Sequence, residues 1–334
     1  MTNLPDKIES IADKNDFWGV VSIRRGKANI FSKAFGYKDV KSKLSNSIDT
    51  RFGIASGTKL FTALGIGRLI DQGKLSLTTS VSQIDKDFNT FIDSKATILQ
   101  LLTHTSGIYD YYDEEIITDF EDFSVEIPWA KLATPSDYLP LFKGKSMKYK
   151  PGERYSYSNG GFVFLGIIIE RVSGMPYRDF MAKNVLSTAR MNHSGFYAFN
   201  NLPEDTANGY LEDRKTTNIY QLPVRGGGDG GMFTTASELD LLWEQLFADQ
   251  ILSPELTSSY LSTHCKVDDT TGYGCGIYKK LDDSAFFIVG RDAGVGFFSQ
   301  YRLSKDIVIS VISNVTGGEE EMVRYILEII PSQI

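Results

Sequence analysis

The chain has 334 residues, and its 35 Lys and Arg against 42 Asp and Glu give a formal charge of −7, which excludes a basic nucleic-acid-binding surface as the first reading. With 42% hydrophobic, 12% aromatic and 23% charged residues, the composition is that of a globular chain and excludes collagen-like, coiled-coil and disordered classes. Two cysteines, Cys265 and Cys275, are too few for a disulfide framework and leave either two thiols or one bridge.

In chain order, residues 6–14 carry the apolar spacing of an amphipathic helix, and 17–23 followed by 28–36 read as a hairpin turning at 24–27. Helical spacing then dominates: 58–72 closed by Gly73, 96–104, 160–172 closed near Gly174, and 177–186. Thr235-Ala236-Ser237-Glu238 is a capping box opening a helix to 247, and Ser253-Pro254 marks a further helix start. Residues 274–279, 285–289, 296–303 and 307–314 are β-branched and aromatic runs separated by turns, an antiparallel meander, and 319–330 is a last helix.

Strands at both ends with helices between them predict an α+β fold, an α/β sandwich. Its antiparallel sheet comes from residues 1–60 and 205–334 and is flanked by terminal helices, with 61–204 inserted as a mainly helical region and the site in the cleft between the two parts. The longest apolar run, 162–169, is far shorter than the ~18 residues of a membrane span. Residues 1–7 lack the profile of a signal peptide, so a chain starting natively at Met1 is expected in the cytoplasm and one trimmed from a longer precursor outside it.

Ser56-Gly57-Thr58-Lys59 opens the 58–72 helix, and a spacing of three puts the amine over the hydroxyl on one face. A serine needs an adjacent base to become a nucleophile, and a lysine whose pKa is depressed by burial can be that base. Amides at a helix start can also hold a developing oxyanion. Alone, the tetrapeptide is more often a helix cap with a solvated lysine. Tyr157-Ser158-Asn159, on the turn before another helix, could supply a proton-shuttling phenol and an orienting amide; alone, it is a packed ring and a cap.

Around these two motifs the sequence resembles the class C β-lactamase and serine penicillin-binding-protein superfamily, which includes esterase and D-aminopeptidase-like members. The likeness extends over about residues 17–314. It includes Leu101-Leu102-Thr103-His104-Thr105-Ser106-Gly107-Ile108, Pro151-Gly152 through Tyr157-Ser158-Asn159, and the glycine-rich 226–231 run leading to Met232-Phe233-Thr234-Thr235-Ala236. The resemblance implies a β-lactamase/transpeptidase-like fold and an acyl-enzyme at Ser56, with Lys59 as base and Tyr157 serving the leaving group and the deacylating water. Asn159 becomes a ligand of lysine and substrate, His104 a structural residue, and no metal or cofactor takes part. The partner is a small-molecule or peptide substrate carrying an amide or ester carbonyl. A carboxylesterase of short acyl esters and a penicillin-recognising sensor with little turnover are the alternatives.

The family's third element, a cation followed by Ser or Thr and Gly on an edge strand, corresponds to Val289-Gly290-Arg291-Asp292-Ala293-Gly294-Val295-Gly296-Phe297 and departs from the pattern. The cation position falls on Gly290, or on Arg291 with one residue deleted. Arg291 could bind a substrate carboxylate with Asp292 partly cancelling its field, and Gly294 or its neighbour could donate a backbone N–H to an oxyanion. Carboxylate-bearing β-lactams are therefore not the first substrate expected. Tyr109-Asp110-Tyr111-Tyr112-Asp113-Glu114-Glu115 reads as a solvated acidic loop with packed rings, a site rim being the alternative, and 226–231 as a tight backbone passage.

Overall fold

The computed structural model describes residues 3–117 and 119–333. Its strands are β1 (Gly19–Arg25), β2 (Ala28–Phe35), β3 (Tyr37–Asp39), β4 (Leu44–Ser45), β5 (Phe52–Gly53), β6 (Phe233–Thr234), β7 (Cys265–Lys266), β8 (Thr271–Tyr273), β9 (Tyr278–Lys280), β10 (Phe286–Asp292), β11 (Val295–Arg302) and β12 (Ile307–Ser313). Its α-helices are α1 (Leu4–Lys14), α2 (Thr58–Asp71), α3 (Val81–Ile84), α4 (Ile98–Leu102), α5 (Leu139–Phe142), α6 (Asn159–Ser173), α7 (Tyr177–Met181), α8 (Ala236–Phe247), α9 (Pro254–Leu261) and α10 (Glu320–Gln333).

Eight strands form one antiparallel sheet in the order β2-β1-β12-β11-β10-β9-β8-β7. The two termini meet at its heart, with β1 paired to β12 from Gly19↔Ser313 to Arg25↔Ile307. Alternation along these strands divides two cores. Val21, Ile23, Ile309 and Val311 face α1 and α10, burying Leu4, Ile8, Met322 and Ile326. Val20, Val308 and Ile312 join the larger core with α2, α6 and α8. The interior of α6 is apolar all round, from Phe162 to Ile169, which suits a helix enclosed by neighbours on every side.

The 96–104 helix shrinks to the turn α4, and the strand expected at 274–279 breaks, because Gly274-Cys275-Gly276-Ile277 is the turn joining β8 to β9. Only half of the capping box at Thr235 forms. Thr235 accepts from the Glu238 amide (3.3 Å), but the Glu238 carboxylate accepts from His193 N (2.7 Å) and Ser194 Oγ (2.5 Å), tying α8 to the strand-like 193–195 segment. Both cysteines are free thiols. Among the described residues, no helix is long and apolar enough to cross a membrane.

Candidate active site

Ser56 sits on a 3₁₀ turn (Ala55–Gly57) that the chain enters from β5, which pairs with β6 at the end of the glycine-rich passage. Ala55 is left-handed (φ 42°), a costly conformation for a residue with a Cβ. It is held by Thr58 Oγ1 donating to its carbonyl (2.7 Å) and by Ile54 N donating to Met232 O (3.0 Å). This bend presents Ser56 at the head of α2, and one turn on, Lys59 is only 2% exposed. Its Nζ lies 2.9 Å from Ser56 Oγ, 2.7 Å from Asn159 Oδ1 and 2.7 Å from the Asp229 carbonyl oxygen. Burial lowers its pKa, and the carboxyls of Asp229, Glu114, Asp110 and Asp292 oppose that shift from farther away.

The Tyr157 ring packs beside that amine, with Lys59 Nζ 4.9 Å from the ring centroid. Burial and the charge of Glu114 hold the phenol far above its ordinary pKa, with the Ser56 hydroxyl pulling the other way. His104 packs against this ring, its centroid 4.4 Å away and its plane tilted by 36°. Its Nδ1 accepts the Ser158 amide (3.0 Å), so the ring proton resides on Nε2, facing Tyr273 Oη (3.0 Å). Burial, reinforced by Lys59, keeps the imidazole uncharged.

Asn159 begins α6. Its Oδ1 takes Lys59, and its Nδ2 donates to Tyr112 O (2.8 Å) and Glu114 Oε1 (3.1 Å). Asp110 caps the same helix, accepting from the amides of Asn159 (2.7 Å) and Gly160 (2.9 Å). Burial nevertheless pushes its carboxyl up to about 7.

The solvated-loop reading of 109–115 therefore holds only for Glu114 and Glu115, which are exposed though hydrogen-bonded. Asp110 caps α6, Asp113 pairs with Lys148 (2.7 Å), Glu114 holds Asn159, and Glu115 accepts from Ser156 (2.7 Å) and Arg154 (3.0 Å). Tyr111 donates to Asp229 Oδ2 (2.5 Å). The segment is the rim of the site, and its interleaved tyrosines are the signal that marked it for burial. Asp229 was hidden inside the glycine run, where nothing in its neighbours pointed to a carbonyl that accepts from Lys59.

On the sheet side, Gly290 of β10 lies against the turn that carries Ser56. A Cβ there would fall 2.1 Å from Ile54 O and 2.9 Å from the amide nitrogens of Ser56 and Gly57, so only glycine lets the strand approach this closely. The position weighed for a cation cannot carry a side chain. Arg291 adjoins the site but its guanidinium is engaged, with Nε 2.6 Å from Glu319 Oε1 and Nη2 3.5 Å from Glu320 Oε2. Asp292 accepts from Ala293 N (3.0 Å) and Tyr112 Oη (3.4 Å), and burial pushes it up to about 7. Gly294, at φ 70° in the two-residue β10–β11 turn, donates its N–H to Thr316 Oγ1 (2.8 Å) and lines a separate recess. Of the seven residues singled out in the sequence, Gly294 alone stands apart.

Ser56 opens onto two clefts. One is walled by Tyr111, Tyr112, Trp129, Tyr138, Asp229 and Asp292. The other runs past Glu114, Tyr157, Tyr278 and Arg291 toward α10.

The family model described as Beta-lactamase matches residues 6–329. The chain belongs to the beta-lactamase family. It is 30% identical over 335 residues to penicillin-binding protein 4* of Bacillus subtilis (strain 168), covering 97% of this chain and 69% of that protein. The crystal structure of a penicillin-binding protein from Bacillus halodurans superposes with a TM-score of 0.91 at 36% identity, over 97% of this chain and 100% of that one. D-amino acid amidase from Ochrobactrum anthropi SV3, at 21% identity, 98% coverage of each chain and a TM-score of 0.80, shares the fold. The α+β fold expected from the sequence is thus that of the beta-lactamase family, shared with a penicillin-binding protein. The chain spans 62% to 69% of the length of the curated relatives it matches.

Proposed function

We propose that the chain is a serine hydrolase that cleaves an amide or ester carbonyl through an acyl-enzyme on Ser56, at the junction of a sheet part (1–60 and 205–334) and a helical part (61–204). The observation that carries this reading is the set of three oxygens around Lys59 Nζ. An unprotonated amine has two N–H groups and one lone pair. With the N–H groups on Asn159 Oδ1 and Asp229 O, the lone pair is left for the Ser56 hydroxyl proton.

Ser56 Oγ attacks the carbonyl carbon as Lys59 takes its proton. Tyr157 gives its proton to the leaving nitrogen or oxygen as that bond breaks, and regains one from Lys59. In the second half, water loses a proton to the same pair while attacking the acyl carbon, and Ser56 Oγ leaves with a proton. The oxyanion is served by two backbone amides. One is Ser56 N–H. The other follows from the β10–β11 register: Asp292↔Val295 closes a two-residue hairpin, so Asp292 and Gly290 face β11, and the Arg291 N–H points to the opposite edge, toward the cleft. The Arg291 amide takes the role first considered for Gly294.

With Arg291 held by Glu319 and Glu320, a substrate carboxylate has no free guanidinium to meet. That favours ester and uncharged amide substrates over a penicillin-sensing role. The test offers the full chain a p-nitrophenyl ester, a fluorescent penicillin and a D-Ala-D-Ala peptide. Ester release without a trapped penicillin adduct, abolished in Ser56→Ala, is the expected result; turnover that survives Ser56→Ala overturns the reading.

A further inference from the structure

The two clefts at Ser56 differ in one residue that bears on the chemistry. Tyr157 lines the second cleft and is absent from the wall of the first. A group that protonates the leaving atom must stand on the side from which that atom departs. The second cleft therefore receives the leaving group, a placement that rests on the reading of Ser56 as the acylated residue and Tyr157 as the proton donor.

This cleft passes over the outer face of the sheet. The register carries that face outward from the part that α1 and α10 cover: Val311 lies opposite Phe298, Phe298 opposite Val289, and Phe287 opposite Tyr278. Tyr278, Val289 and Phe298 line the cleft, and Phe287 fills the row between them. The Tyr278 and Phe287 planes are 12° apart at 5.2 Å, and those of Phe287 and Phe298 29° apart at 6.2 Å. Tyr278, Phe287 and Val289 are only half-buried, so a row of nearly parallel rings is left open beside the nucleophile. Such a surface takes up a flat apolar group by offset stacking.

The charges around the row are acidic. Glu114, Glu319 and Glu320 reach the cleft, and Glu319 Oε2 is buried without a partner. Both arginines on its wall are already paired, Arg291 with Glu319 and Glu320, and Arg324 with Glu321. A leaving group bearing a carboxylate would meet these acids with neither guanidinium free to offset them.

We infer that the group released from the substrate is a flat, apolar alcohol or amine without a carboxylate, seated on the Tyr278–Phe298 row. As the bond from Ser56 Oγ to the carbonyl carbon forms and the carbon–oxygen or carbon–nitrogen bond breaks, the Tyr157 proton passes to the departing atom. The product leaves neutral, which suits an apolar seat.

The test holds the acyl group constant and varies the leaving group, using the phenyl, 2-naphthyl and 6-carboxy-2-naphthyl acetates. Each kcat/KM is divided by the rate of hydroxide on the same ester, which removes intrinsic reactivity. The 2-naphthyl ester is expected to exceed the phenyl ester by about fivefold or more, and the carboxylated one by about tenfold or more. Tyr278→Ala should erase the advantage of naphthyl over phenyl, and Glu319→Gln combined with Glu320→Gln, which frees Arg291, should narrow the gap to the carboxylated ester. If Tyr278→Ala does not fold, the ranking and the double variant decide. Equal rates for the three esters, a preference for the carboxylate, or an equal loss for phenyl and naphthyl in Tyr278→Ala would overturn the inference. Calorimetry on Ser56→Ala separates this from the hydrolase reading, because 2-naphthol should bind that protein more tightly than 6-hydroxy-2-naphthoate whether or not an acyl-enzyme forms. An absent acyl-enzyme with that order intact would overturn the hydrolase reading and leave the seat standing; the reverse order would overturn the seat.

Discussion

Lys59 on α2 and Arg291 on β10 both adjoin Ser56, and their surroundings differ in kind. Lys59 is enclosed and bonded to a hydroxyl, an amide oxygen and a backbone carbonyl, none of them charged. Arg291, with its side chain 47% exposed, is bound to two carboxylates. A cation ringed by neutral acceptors can lose its proton without abandoning an ion pair; one locked to acids cannot serve as a base or greet a new anion. Charge sign alone therefore does not assign a role at this site. The acceptor type does.

The largest effect that could break this contrast is expected from Lys59→Met. It should lower kcat for an ester substrate by about 10³-fold or more in a protein that still folds, as measured by steady-state kinetics alongside circular dichroism. A loss of less than tenfold would mean that Lys59 is only structural. Gly290→Ala comes next. Its Cβ has no room beside Ile54 O, so the turn carrying Ser56 must shift, with kcat falling about 10²-fold and a stability loss of about 1–3 kcal/mol in urea titrations.

Arg291→Ala should have the smallest catalytic effect, within about threefold for a neutral ester, because its guanidinium is engaged elsewhere. Its cost appears in stability and depends on pH. Burial already raises the Glu319 pKa and Arg291 lowers it, so the variant leaves Glu319 with a folded pKa further above its unfolded value. Protons are then held more tightly by the folded state, and stability falls as pH rises from the unfolded carboxyl pKa toward the folded one. The variant should match the parent near pH 4 and be weaker by about 1–2 kcal/mol at pH 8, a range discounted for the exposure of the arginine.

The same contrast explains what could be read in advance. Ser56 and Lys59 were legible because one helical turn sets their distance, and the sheet was legible because residues 17–36 and 285–314 hold β-branched and aromatic runs separated by turn residues. Of the partners of Lys59, Asn159, on a helix that begins 100 residues later, was expected only through the family resemblance, and Asp229 was missed because it offers its backbone rather than its side chain. Asp110 was misplaced because burial of an acid depends on which amides the tertiary fold brings to it, while Asp113 and Glu115 find cations that the sequence does not point to. Gly290 and Arg291 could not be told apart by counting residues; only the approach of β10 to the Ala55–Gly57 turn decides between them. Gly294 failed for a similar reason, its amide being captured by Thr316 across a hairpin end.

The central claim, a hydroxyl made nucleophilic by a buried amine, is tested most directly by the pH dependence of covalent labelling. A fluorophosphonate probe is reacted with the intact protein, and the site and rate are read by mass spectrometry. The account predicts a single adduct on Ser56, forming faster as pH rises through the titration of Lys59, with that pH dependence gone in Lys59→Met. An adduct on another residue, or a pH dependence unchanged without the amine, would contradict it.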